Sequence, residues 1–173
     1  MLKNEASLNL IDSDRMPPVF RVQLVRERQG IREEAACPAD AAKVISRFLQ
    51  SPDREHVVVL MLDVKNRVIG LHTVSVGSLE ASIVNTREVF KAPILANAAS
   101  IVVAHNHPSG DLTPSREDIE IGRKLYEAGI LMDIDVIDHI IIGEDGDYFS
   151  FQQAGIRPYG TPGMRSDGKR KQK

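Results

Sequence analysis

Two histidines one residue apart, His105 and His107, close an apolar run in 101-IVVAHNHPSGDLTPSREDIEI-121. Residues two apart in a strand point to the same side, so both imidazoles can aim at one point where the strand runs out into a loop. Pro108, Ser109, Gly110 and Asp111 then turn the chain. Thr113–Pro114 reads as a helix start, an N-cap residue followed by proline at the first helical position. That helix brings back Ser115 and Asp118, which are three apart and so share a face. The face continues as Ile121, Leu125 and Ala128. Asp118 therefore heads an apolar stripe, and a carboxylate there needs a partner, which a cation supplies. Two histidines and one carboxylate make a three-ligand set with the fourth position open, the pattern of catalytic rather than structural zinc. Water in that position has its pKa lowered to about 7. The chemistry then calls for a general base and for a donor to the oxyanion. Ser115 is the candidate donor.

A His-x-His pair alone is a weak signal; the spacing of the remaining residues is what makes this one specific. His107, seven residues, Ser115, two residues, Asp118 resembles the JAMM motif of the JAB/MPN metallopeptidase family. The longer run AHNHPSGD-x-x-PS-x-x-D, together with 137-IDHIIIG-143 and 87-REVFKAPILANAAS-100, resembles the RadC branch in particular. The resemblance covers residues 38 to 156. It implies a JAB/MPN-like (cytidine deaminase-like) α/β fold, a mixed sheet flanked by helices in a single domain. It also implies zinc held by His105, His107 and Asp118, and an acid/base glutamate opening the strand after the first helix. The matching position is Glu55, with Glu80 and Glu88 as rivals. The implied activity is that of a metalloprotease-like hydrolase, a zinc-activated water attacking an amide or isopeptide carbonyl in a peptide or isopeptide-linked protein. Two other readings come with the family: a DNA-associated accessory protein, as the RadC name suggests, and a catalytically inactive scaffold. Asn106 stands between the histidines where many members have Ser or Thr, as is usual in the RadC branch.

The rest of the chain must hold such a site. With 173 residues, 42% of them hydrophobic and 27% charged, it has ordinary globular composition and enough length for one core. A net charge of -2 gives no overall attraction to nucleic acid or anionic membrane. The single cysteine, Cys37, excludes an internal disulfide and a cysteine-based zinc site and fits a reducing cytoplasm. No apolar leader opens the sequence and no run approaches the roughly 20 apolar residues of a membrane span. The oligomeric state is not legible.

Residues 1–18 read as an arm, 19–156 as the domain and 157–173 as a basic, disordered tail. Alternation predicts a strand at 19–28, and the apolar stripe of 37–50 predicts a helix. The β-branched run at 55–63 predicts a buried strand, followed by an antiparallel partner at 67–77 that 79–84 extends. A helix at 86–98 follows, with Thr86 as N-cap and a break at Pro93. A central strand at 99–105, the helix from Pro114 to near Gly129, and strands at 133–143 and 147–151 complete the order. His139 reads either as a support of the site, its ring fixed by Asp138 or a backbone carbonyl, or, as is commoner, as a hydrogen-bonded structural residue. His72 reads in the same way, His56 is expected to face away from Glu55, and Asp111 to shape the turn. Full-length RadC proteins carry an N-terminal helix-hairpin-helix region. The residues ahead of the first helix here read instead as an arm and a strand, which weakens any DNA-binding role.

Overall fold

The middle of the molecule is made by its most apolar β-branched segments. In the computed structural model, which describes residues 21–27, 30, 33–50, 53–77, 84–156 and 158, β1 (His56–Leu62) and β3 (Ser100–Asn106) lie side by side and are buried almost throughout. β2 (Val68–Val76), β4 (Asp135–Ile142) and β5 (Tyr148–Ser150) complete a five-stranded sheet in the order β2-β1-β3-β4-β5. All pairs are antiparallel except β3 with β4, which is parallel. That crossover is made by α3 (Arg116–Met132), as a parallel connection requires.

Helices cover both faces, which explains why the central strands are apolar on both sides. α1 (Pro38–Leu49) places Ala41, Ala42 and Ile45 on Val58, Leu60, Val102 and Ile140. α2 (Thr86–Leu95) and α3 cover the other face, where Val89, Phe90 and Leu125 meet Val57, Val59, Ile101 and Val103. His105 follows Ile101 and Val103 in the two-residue alternation and so belongs to the α2/α3 face. This is a mixed α/β sheet flanked by helices in one domain, as expected.

Several details differ from expectation. Residues 21–27 form no strand, and Val22 and Val25 are about 70% exposed. Alternation states which face a strand would bury but cannot create the neighbour it must pair with. The cap of α2 is Asn85, whose side chain accepts from the Arg87 amide, rather than Thr86. α3 is capped by Ser115 rather than Thr113, and it runs past Gly129 to an αL residue at Asp133. Gly129 serves packing instead of termination. A Cβ there would stand 2.6 Å from the Ile134 carbonyl oxygen and 2.9 Å from a Val136 methyl, so glycine lets α3 lie close on the start of β4. The expected arm at 1–18, the sheet extension at 79–83, Glu80 and the tail (Pro158 apart) lie outside the described residues. No helix among the described residues is long and apolar enough to cross a membrane.

Candidate metal centre

His105 is the penultimate residue of β3 and His107 the first beyond it; Asp118 is the third residue of α3. The turn between them returns the chain through Gly110, whose φ of 74° suits glycine. His105 Nε2 stands 3.0 Å from His107 Nε2 and 3.3 Å from Asp118 Oδ1. His107 Nε2 is 3.7 Å from Asp118 Oδ2. Atoms about 2.0–2.1 Å from one tetrahedral zinc stand about 3.3 Å apart, so these three residues fit a shared ion. Glu55, immediately ahead of β1, brings a carboxylate oxygen within 4.8 Å of the ligand nitrogens of both histidines. The cluster could therefore hold a metal ion. The ligand set expected from sequence and the glutamate expected from the resemblance come together at one place.

Each of these side chains is held by a second group. The His107 Nδ1–H donates to the Asp111 carbonyl, which leaves the Nε2 lone pair facing the cluster. Asp111 also accepts from the Thr113 amide at 2.8 Å, closing the turn as expected. Asp118 Oδ2 accepts from the Ser115 amide at 2.8 Å and from the Ser115 hydroxyl at 2.6 Å; the Asp118 amide donates back to that hydroxyl. This reciprocal capping box satisfies two donors of the first helical turn. It also directs the only Ser115 hydroxyl proton to Asp118 in this arrangement.

His139 is more than the structural residue expected. Its Nε2 lies 3.0 Å from His105 Nδ1, and its ring packs on Phe151 with centroids 4.6 Å apart. Asp138 makes no hydrogen bond to the ring. Its carboxylate accepts from the amides of His139 and Gln152 and from the Ser150 hydroxyl, which ties down the turn carrying Phe151. Burial pushes His139 down to about 4. Burial, reinforced by the neighbouring His139 and opposed by Asp118, holds His105 well below its ordinary value. Both rings are thus neutral near pH 7, the state in which imidazole binds metal. For His105 to offer an Nε2 lone pair it must carry its proton on Nδ1 and donate to His139. His139 then carries its own proton on Nδ1, a buried atom with no hydrogen-bond partner among the described residues. That tautomer costs about 1–3 kcal/mol, small beside a zinc-binding free energy of order 10 kcal/mol.

The other readings of single residues also resolve. His56 points its Nδ1 at the Arg54 carbonyl, 3.0 Å away, and takes no part in the cluster. Glu88 pairs with Lys91 on the surface of α2, whereas Glu55 is the glutamate grouped with the histidines among the described residues. Sequence reasoning missed the His139 contact and the anchoring of Glu55's neighbours by Asn106. Neither has a local signal, because both depend on which strands pair. Glu55, His107, Ser115 and Asp118 open onto a cavity of about 640 Å³ whose wall also includes Asp111, Glu117 and Ile121. No lysine or arginine lines it among the described residues.

Comparison with known proteins agrees with this picture. Residues 35–156 match a family described as RadC-like JAB domain. A UPF0758 protein of Caldanaerobacter subterraneus is 46% identical over 133 residues, covering 77% of this chain and 57% of its own length. A UPF0758 protein of Desulforamulus reducens is 48% identical over 120 residues, 69% and 52% of the two lengths. One from Clostridium acetobutylicum is 50% identical over 119 residues, again 69% and 52%. The chain spans about half the length of the curated relatives it matches.

Proposed function

The chain belongs to the RadC-like JAB domain family, and from that premise we propose that it is a zinc-dependent hydrolase of amide or isopeptide bonds. The observation that carries the reading is the convergence of two imidazole nitrogens and the Asp118 carboxylate within 3.0–3.7 Å, with Glu55 beside them, on a cavity open to a substrate.

His105, His107 and Asp118 would hold the ion. Zinc held there would supply Lewis-acid chemistry for the scissile carbonyl and would make water acidic enough to attack near neutral pH. Glu55 takes a proton from the attacking water and delivers it to the leaving amine, so one carboxylate serves as base and then acid. The Asp111 carbonyl keeps His107 in the ligand-ready tautomer. Ser115 fixes Asp118; its service as oxyanion donor requires its hydroxyl hydrogen to swing from Asp118 to the substrate oxygen. A peptide or an isopeptide-linked protein is the substrate class this chemistry takes, its scissile carbonyl entering the cavity beside Glu55 and His107. Nothing in the described residues favours nucleic acid over such a substrate.

The test is metal content by elemental mass spectrometry, on protein purified without chelators or a histidine tag. The wild type should carry about one zinc per chain, and His105→Ala with His107→Ala should carry none. Glu55→Gln should still carry about one zinc per chain, bound several-fold more weakly, and lose about 10²–10⁴-fold in turnover of peptide and lysine-isopeptide substrates. Zinc-free wild type after supplementation, or unchanged turnover in Glu55→Gln, would overturn the proposal.

A further inference from the structure

Glu55 stands just ahead of β1, where a strand normally frays. The last backbone pair of the β1–β3 ladder is Val57 with His105. Beyond it the backbone of β3 pairs with Ile142 of β4 and no longer with β1. The side chain of Asn106 takes over. Its Oδ1 accepts from the His56 amide at 2.8 Å, and its Nδ2 donates to the Arg54 carbonyl at 3.1 Å. The orientation of the amide is forced, since a backbone N–H can only donate and a carbonyl can only accept. One buried side chain, 5% exposed, therefore grips the residues on both sides of Glu55. The Glu55 carbonyl itself accepts from the Gly77 amide at 2.9 Å, so the segment is held from β2 as well.

We infer that Asn106 is the positioning residue for Glu55, holding its carboxylate at the His105–His107 pair; this rests on the hydrolase reading above. The residue type follows from the geometry. Serine offers one polar atom where two are needed. Aspartate lacks the donor, and glutamine is a methylene longer. Because Asn106 lies between the two histidines in sequence, the strand end that presents them also sets the glutamate against them. Base and ligands are thereby built as one rigid unit, as catalytic geometry demands.

Two measurements on Asn106→Ala test this. The first is hydrogen exchange at the His56 amide by NMR, which needs no metal. It should accelerate at least about tenfold while Val59, in mid-strand, is unchanged. The second is zinc affinity by chelator competition, as a double-mutant cycle with Glu55→Gln. Removing the carboxylate should weaken zinc binding several-fold in the wild-type background and by less than about twofold in the Asn106→Ala background. A merely structural role would leave the Glu55 effect the same in both backgrounds. Asn106→Asp, which keeps the acceptor for His56 but sets an oxygen against the Arg54 carbonyl, serves if the alanine variant does not fold. It should retain slow His56 exchange and still lose the coupling to Glu55. Unchanged His56 exchange in Asn106→Ala, or effects on zinc affinity that multiply independently, would overturn the positioning role alone. Failure of the wild type to take up zinc would overturn the hydrolase reading and, with it, the purpose assigned to the clamp.

Discussion

The buried His105–His139 pair makes the metal-free protein acid-sensitive in a defined window. His139 is neutral in the fold because burial holds it at about 4, whereas in the unfolded chain it titrates near 6.5. The unfolded state therefore binds more protons between these values, and stability falls as pH drops through the window. Linkage over this pair of values gives a loss of about 2.5 kcal/mol from His139 between pH 7.5 and 4.5. His105, held low mainly by the same burial, adds to the loss. Asp138, whose carboxyl burial pushes upward, acts in the opposite sense. The assay is urea denaturation at both pH values with zinc removed by chelator, on the wild type and on His139→Leu. Leucine removes the titrating ring while keeping the site apolar. The pH-dependent loss should shrink by about 2.5 kcal/mol in the variant, whatever its absolute stability. The contribution of Asp138 is common to both proteins and largely cancels. His105, whose low value His139 reinforces, loses less in the variant, so any departure is toward a larger shrinkage. Losses that agree within about 0.5 kcal/mol would show that His139 gains no protons on unfolding and would refute the reasoning.

Three further outcomes are expected. Ser115→Ala removes the α3 cap and the hydroxyl donor to Asp118 Oδ2, leaving only the backbone amide of residue 115 to hold it; stability should fall by about 1 kcal/mol and zinc affinity by about 10–100-fold, read by thermal melts and chelator competition. Undiminished affinity would mean that the backbone amide alone holds Asp118. Gly129→Ala drives a methyl to 2.6 Å from the Ile134 carbonyl; it should cost about 1–3 kcal/mol even after the gain of about 1 kcal/mol in helix propensity. A more stable variant in urea would show that α3 and β4 can separate freely. Added zinc should raise the melting temperature of the wild type with the logarithm of its concentration relative to the dissociation constant and leave the His105→Ala, His107→Ala variant unmoved; equal shifts in both would place the binding elsewhere.

The sequence by itself determined the core elements and the metal-ligand candidates. Apolar runs such as 57–62 and 100–105 are long, β-branched and bounded by turns, so local physics settles them as strands. His105 and His107 share a side because strands alternate, and Ser115 and Asp118 share a face because helices repeat at three to four residues. These are short-range rules, and they act before any folding. They failed where tertiary context was needed: residues 21–27 alternate yet form no strand, and Gly129 resembles a helix end yet makes room for Val136. The tertiary structure alone decided the surroundings of the site. Placing β4 beside β3 in parallel sets His139 behind His105. Pairing β1 against β3 lets Asn106 grip the residues flanking Glu55, fifty positions earlier in the chain. Contacts between strands so far apart depend on sheet order and register, which the burial of both faces fixes cooperatively and which no local pattern encodes.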